Sequence, residues 1–483
     1  MGTRECPDES RWLKQSCATA QLALLMGVAG CHIANRSHMP SSPTPVTESF
    51  PRERQITRAE HGHILTNTRV WSPDSEWIVY DTRSDVAGDL FDGNRIEMVN
   101  IHTGEVKSLY ESRNGACCGV ATFHPQEPKV VFILGPENPS PDWQYNAWHR
   151  QGVEVDTRHP GEARNLDARD LTEPLTPGAL RGGSHVHVWD AAGDWLSFTY
   201  EDHLLAQFKT PGPDQDINQR NIGVSAPVGP VTVSKDHPRN HGGDYFTILA
   251  TRTTAQPKPG SDEISKAFEE GWVGTNGYLR TDGTRQRRAI AFLGQVTTGR
   301  GETIAEVFIA DLPNDLKTQG DGPLCGTATR LPSPPSGTTQ RRLTFTSGRK
   351  FPGIEGPRHW LRTSPDGSRI AFLMRDDSGI VQLWTVSPNG APPVQVTRNP
   401  WSIASTFNWS PDGKRIVHLM DNSVFVTEVA SAASTRLTPR SSAGTAPRPE
   451  ACVFSPDGRS IAFVRRVAAS NQEFNQVFVL ALD

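Results

Sequence analysis

The side chains best suited to chemistry in this sequence are histidines. Two pairs are separated by a single residue, His61-Gly62-His63 and His185-Val186-His187. On a regular strand, residues two apart share a face. His185 and His187 would then offer two imidazoles to one divalent ion. His359 would add a third nitrogen and Glu450 a carboxylate, a donor set suited to zinc or manganese. His203 is a candidate base. Arg181 and Arg358 are candidate cations for a bound acid, the pairing that metal-assisted work on an acidic substrate requires. The same histidines admit a plainer role, as hydrogen-bonded residues around ordered water. His61 and His63 read as an exposed loop pair near a closing strand. His149, His237 and His241 read as residues of polar loops. Asp167, Arg169 and Asp170 precede a glycine-rich run, Pro177 to Gly183. Its glycines either let a ligand approach the backbone or make a tight connection. The sequence holds no P-loop, dinucleotide-binding glycine pattern, zincin motif or nucleophile elbow.

A repeat positions these residues. Thr363-Ser364-Pro365-Asp366-Gly367 recurs as Trp409-Ser410-Pro411-Asp412-Gly413 and as Phe454-Ser455-Pro456-Asp457-Gly458, each followed by a short apolar strand. The serines are spaced by 46 and 45 residues. That period, with four strands per unit, is the signature of a β-propeller blade. Pro-Asp-Gly is turn chemistry, because proline presets φ and glycine accepts a positive one. Weaker copies begin at Trp71-Ser72-Pro73-Asp74, Phe123-His124-Pro125 and Trp189-Asp190. A degraded unit is expected over residues 230–345, with strands at Val231–Val233 and Phe246–Leu249 and one helix over Ser261–Gly271. The chain is therefore read as all-β, a seven-bladed propeller with six blades as the alternative, spanning residues 54–483.

The last unit lacks its outermost strand, and Arg54-Gln55-Ile56-Thr57 at the other end resembles the missing piece. The N-terminal strand is predicted to close the ring, which removes exposed sheet edges. Five residues before each turn stand Asn67, Gly119, His185, His359, Ser405 and Glu450. Inner strands line the channel, so these residues are expected to ring one mouth. Asn67 and Glu450 then join Arg181, His203 and Arg358 as ligand-binding candidates. Long connections at about 82–94, 135–150, 202–222 and 252–288 are expected over the same rim, where propellers commonly bind ligands.

Composition narrows the function classes. The formal net charge of −4 lacks the basic excess of a nucleic-acid binder. Hydrophobic residues at 36% allow a large core, and 42 glycines with 38 prolines fit many short strands joined by turns. Seven cysteines are an odd number, so no complete disulfide framework is implied. Adjacent Cys117 and Cys118 would pair only in a strained ring, and free thiols are expected.

Residues 1–31 read as a signal or lipoprotein-like segment. Arg11 and Lys14 precede an apolar run, Ala18 to Gly30, with the length of a signal h-region. It ends Val28-Ala29-Gly30-Cys31, which resembles a bacterial lipobox with Cys31 as the lipid anchor. Residues 32–53 read as a flexible tether. A periplasmic or envelope lipoprotein is expected, touching the membrane only through that anchor. A misassigned start and a cytoplasmic protein is the alternative, to which Glu5, Asp8 and Glu9 point.

Several longer segments carry a family likeness: Leu65 to Thr68, Val99 to Val106, Gly135 to Pro139, Pro177 to Val188, Pro259 to Ile264, Arg341 to Thr346 and Ile370 to Asp377. In these the chain, from about residue 55 to 483, resembles the bacterial YidR family of TolB-like propellers. The resemblance implies a propeller and no particular reaction. In plan the chain is also similar to oligogalacturonate lyase, a seven-bladed propeller holding a manganese-type ion, through the His185-Val186-His187 element and its position on the ring. Two functions follow as expectations. One is a monomeric TolB-like binding or scaffold propeller of the cell envelope, taking a protein, peptide or acidic saccharide at the channel mouth. The other is a metal-dependent lyase or hydrolase acting on an acidic oligosaccharide.

Overall fold

The repeated turn is a hydrogen-bond device. In a computed structural model that describes residues 50–84, 90–208, 212 and 214–482, Ser410 Oγ donates to Asp412 Oδ1 at 2.5 Å and accepts from the Arg415 amide at 2.9 Å. Asp412 in turn accepts from the Lys414 amide at 3.1 Å. Ser455 and Asp457 repeat the arrangement. Gly413 and Gly458 follow with φ of +69° and +73°, the left-handed region that glycine enters without strain. Two upstream turns lack the serine and substitute its acceptor. His124 Nδ1 accepts from the amides of Gln126 and Glu127, and Asp190 Oδ1 accepts from that of Asp194.

Each turn launches an antiparallel sheet, and seven such sheets form a ring. Blade 1 comprises Trp77–Asp81, Arg95–Asn100 and Val106–Glu111, with residues 64–71 bridged along its inner edge at Ile64 and Trp71. Blade 2 is Cys118–Phe123, Lys129–Leu134, Gln151–Asp156 and Arg164–Asn165. Blade 3 is Gly182–Trp189, Leu196–Asp202, Asn221–Ala226 and Phe246–Leu249. Blade 4 is Ile264–Trp272, Ala289–Thr297, Thr303–Asp311 and Thr339–Arg342. Blade 5 is Arg362–Thr363, Ile370–Arg375, Val381–Val386 and Val394–Gln395. Blade 6 is Asn408–Trp409, Arg415–Met420, Ser423–Glu428 and Ser434–Arg436. Blade 7 is Pro447–Phe454, Ser460–Ala469 and Gln472–Ala481, completed by Glu53–Gln55.

The apolar cores lie between blades, where facing sheets interdigitate. Ile78, Val99, Val453, Ala462, Val477 and Val479 fill the space between blades 1 and 7. Near the channel, tryptophan indoles bind one blade to the previous one. Trp71 Nε1 donates to Val453 O at 3.1 Å, Trp272 Nε1 to Val188 O at 2.9 Å and Trp409 Nε1 to Arg362 O at 3.1 Å. At Trp71 and Trp409, just before their turns, the indole buries a broad ring and still satisfies its donor, whereas the buried Nε1 of Trp189 has no partner.

The ring closes as expected. Glu53, Arg54 and Gln55 pair with Leu480, Val479 and Phe478, and the Ile56 amide donates to Val477 O at 2.8 Å. Thr57 Oγ1 donates to Gln476 Oε1 at 2.7 Å and accepts from the Val477 amide at 2.8 Å. Arg465 adds an ion pair to Glu53 at 2.7 Å.

Three expectations are corrected. Ser261–Gly271 is not a helix, because residues 264–272 form the inner strand of blade 4. Two register slips, between Ile264 and Ala267 and between Phe268 and Gly271, insert extra residues. The buried positions Ile264, Ala267 and Gly271 thereby acquire a helix-like spacing. Phe246–Leu249 belongs to blade 3 as its outer strand, and Val231 makes only an isolated bridge to Gly243. Residues 252–288 are accordingly not one rim loop. Cys117, Cys118, Cys325 and Cys452 are free thiols. The export segment and Cys31 lie outside the described residues.

If closure carries the ring, Ile56→Ala should cost about 2–4 kcal/mol, and deletion through Thr57 should lower the melting temperature further. An unchanged melting temperature for the deletion would contradict it.

Candidate functional site

The inner strands are bulged where they reach the channel. Registers slip between Gly119 and Thr122 in blade 2, between His185 and Val188 in blade 3, and between Phe268 and Gly271 in blade 4. Val120, Val186 and Glu269 sit at these slips with φ of +60°, +57° and +57°. A bulge adds a residue and re-aims the side chains beside it. His185 and His187 therefore do not act as a same-face pair.

His187 is fully buried, its Nε2 3.8 Å from Asp167 Oδ1 and its ring 5.4 Å from that of Phe198. Asp167 is held by Ser184 Oγ at 2.9 Å, and burial depresses the His187 pKa to about 3. His359 is also turned inward. Its Nδ1 meets Pro357 O at 3.1 Å and its Nε2 accepts from the Leu373 amide at 3.2 Å. Ser405 does the same for blade 6, accepting from the Leu419 amide at 2.8 Å. The expected metal set of His185, His187 and His359 is not assembled. Among the described residues no three His, Cys, Asp or Glu side chains converge on a metal position.

The channel mouth gathers cations instead, one from each of blades 1 to 5. Arg83 binds Asp81 through Nε at 2.7 Å and Nη2 at 2.9 Å, and Asp81 also accepts from the Val120 amide. Arg150 donates to the Tyr145 hydroxyl at 2.9 Å, and Tyr145 stacks on Phe91 at 4.7 Å. Arg220 holds Glu201 at 2.7 Å. Arg358 lies 3.5 Å from Glu269 and 4.6 Å over the Trp360 ring. Lys266 shares this field, its pKa lowered by burial and by Arg220. His185 sits among them. Burial, then Arg150, Arg358, Arg220 and Arg83, keep its imidazole neutral, and its buried Nδ1 has no hydrogen-bond partner. Glu450 belongs to the same mouth, paired with Arg448 at 2.9 Å and close enough to Arg83 to raise its pKa.

Deeper in, a polar diaphragm crosses the channel. Arg362 of blade 5 donates to Asn67 Oδ1 of blade 1, and Asn408 Nδ2 donates to Asn67 O at 2.6 Å. Asn67 is therefore a spanning residue rather than a rim ligand. Glu270 lies buried nearby, accepting from Thr199 Oγ1 at 3.1 Å through one oxygen while the other has no partner. Burial raises the pKa of both Glu269 and Glu270 to about 7.

Two further candidates leave the mouth. Arg181 is buried against Asp202 at 2.6 Å and donates to the carbonyls of Thr327 and Arg330, so it ties the 312–338 connection to blade 3. His203 lies on the outer rim, its Nδ1 3.0 Å from His149 Nε2, with Trp143 stacked on His149 at 3.7 Å. His149 is buried, and so is His63, whose Nδ1 meets Asn475 O at 2.8 Å. His63 is therefore not part of an exposed loop pair. Gly182 and Gly183 serve a close backbone approach, since a Cβ on Gly183 would lie 2.2 Å from Ala147 O.

The sequence reading missed Arg83, Arg150, Arg220 and Lys266. One register signal was present: Arg150 and Arg220 stand immediately before the third strands of blades 2 and 3, at equivalent positions.

Comparison with known proteins agrees with this architecture. Residues 117–241 match the family described as Protein of unknown function (DUF3748). The chain is 48% identical over 424 residues to "Uncharacterized protein YidR" of Escherichia coli (strain K12), covering 87% of this chain and 96% of that protein. Among solved structures, oligogalacturonate lyase in complex with manganese aligns at a TM-score of 0.51 and 11% identity, over 90% of this chain and 94% of that one. The putative TolB from Agrobacterium tumefaciens aligns at 0.38 and 14% identity, over 81% and 98%. At 11% identity the likeness to the lyase speaks to the fold alone.

Glu270 gives the site a measurable signature. Its folded-state pKa is raised, so between about pH 4.5 and 7 the folded chain binds a proton that the unfolded chain does not. Stability present at pH 4.5 is thus lost as pH rises through 7. Glu270→Gln cannot ionise, and should gain about 1–3 kcal/mol over wild type at pH 8 and little at pH 5. Parallel stability curves for the two proteins would contradict the assignment.

Proposed function

This chain belongs to the YidR family, and from that premise we propose that its propeller is a binding module whose channel mouth takes a carboxylate-bearing ligand. The observation that carries this reading is His185, a neutral imidazole with an unpartnered buried nitrogen, lying within the field of four arginines. A concave site lined by one sign of charge concentrates ligands of the other sign. Arg83, Arg220 and Arg358 already hold carboxylates, but a guanidinium has five N–H donors and such a pair uses at most a few of them. A ligand carboxylate can therefore join Arg220, which clusters with Arg358 and Arg150 around His185, without breaking its pair with Glu201. The Trp360 and Tyr145 rings beside these arginines offer flat apolar faces for the ligand's body.

A binding role fits better than the metal-dependent lyase or hydrolase, because His187 and His359 are spent inside the blades. An envelope location is part of the proposal and rests on the apolar run ending at Cys31.

The test is calorimetric titration of the full chain with trigalacturonate, hexaglutamate and neutral cellotriose. At least one acidic probe should bind, the neutral one should not, and Arg358→Met with Lys266→Met should weaken binding about tenfold or more. Equal binding of neutral and acidic probes, or indifference to both substitutions, would overturn the reading. Manganese-dependent cleavage of trigalacturonate would move it to the lyase.

A further inference from the structure

On the far side of the Arg362–Asn67 diaphragm, the channel widens between the Pro-Asp-Gly turns into a separate chamber of about 380 Å³. That volume falls in the range of small-molecule pockets. Its wall is aromatic: Trp71, Trp189, Trp272, Trp409 and Phe454 each come from a different blade. The indole N–H groups of Trp71, Trp272 and Trp409 are consumed by the interblade bonds, which fixes these rings in place.

Into this apolar wall the fold sets a charge. Arg69 lines the chamber, partly buried, on a backbone with φ of +53°. Among the described residues its guanidinium makes no hydrogen bond and has no carboxylate within ion-pair distance. The carboxylate that attracts it, Asp190, is already ion-paired to Arg288 at 3.0 Å. Its other charged neighbour is Arg362, which has the same sign. Other buried arginines of the chain are treated differently. Arg181 has Asp202 and two carbonyls, and Arg169 has the carbonyls of His149, Arg150 and Gly182. Keeping a guanidinium partly out of water with no counter-charge is costly, and a structural arginine is normally given acceptors. Arg69 has the geometry of a cation whose partner arrives from outside.

We propose that this chamber is a second binding site, distinct from the mouth, for a small organic acid whose anionic group pairs with Arg69 and whose apolar body lies against the tryptophan wall. Arg362 and Asn408, both in contact with Asn67, stand at the chamber's inner side, and a cavity of about 380 Å³ suits a compact ligand. The low-dielectric wall strengthens the charge pair, and the broad indole faces supply apolar burial.

The experiment titrates the full chain with phenylacetate and with its neutral isostere phenylacetamide, followed by tryptophan fluorescence and saturation-transfer NMR. Wild type should bind phenylacetate at least about tenfold tighter than phenylacetamide, as one charge-assisted contact allows. Arg69→Met should abolish that preference, and Arg69→Lys should retain part of it. Arg358→Met, which weakens the mouth, should leave the chamber's preference unchanged, so the two sites can fail independently. No binding of phenylacetate, equal binding of the two probes, or an unaltered preference in a folded Arg69→Met protein would overturn the proposal.

Discussion

A sheet with a free edge is unfinished, and a ring of sheets is finished only if its last blade finds a strand. Here that strand comes from the opposite terminus, so the pairing of residues 53–55 with 478–480 is the constraint on which the rest depends. It places the two ends of the folded unit in one sheet, more than 400 residues apart in sequence. Once the ring is closed, every blade has two neighbours and each interblade core is sealed. The indole bonds can then tie blades 1, 4 and 6 each to the blade before it. The channel's polar contents, the Arg362–Asn67 crossing above all, span it between blades that are not adjacent. They hold their geometry only because the circumference is fixed.

Within that circle, the bulges decide the chemistry. The inner strand carries one residue too many for its partner in blades 2 and 3 and two in blade 4, and Val120, Val186 and Glu269 stand left-handed at these bulges. The strand loses its simple alternation there, and side chains that sequence would put on one face part company. His187 goes into the blade interface while His185 remains in the arginine field of the mouth. Glu269 occupies such a position itself, beside Arg358. The result is a channel with two differently built halves, a charged mouth and an aromatic chamber, separated by a polar crossing.

How much of this could be read from the sequence depends on how local the determining contacts are. The turns of blades 5 to 7 were legible because Ser, Asp and Gly satisfy one another within six residues, so their chemistry repeats openly. The upstream turns were legible by register, since His124 and Asp190 do the serine's work with other atoms. The closing strand was legible as a missing fourth strand at one end and a spare one at the other. Blade 4 was misread because its two bulges give Ile264, Ala267 and Gly271 a helical rhythm. The spacing of His185 and His187 suggests one face, and the bulge at Val186, which no local pattern marks, takes the two apart. The roles of Arg181 and Asn67 depend on partners 146 and 295 residues away, and no local pattern announces such contacts.

The central claim is that the terminal strand is an integral member of the last blade and not an appended segment. Hydrogen exchange at single-amide resolution measures this directly. The account predicts that the Ile56 and Val477 amides, bonded to Val477 O and Thr57 Oγ1, exchange as slowly as the inner amides of blade 7 and only by opening of the whole ring. Rapid exchange at Ile56 and Val477 while the Val464 and Ala462 amides stay protected would contradict it.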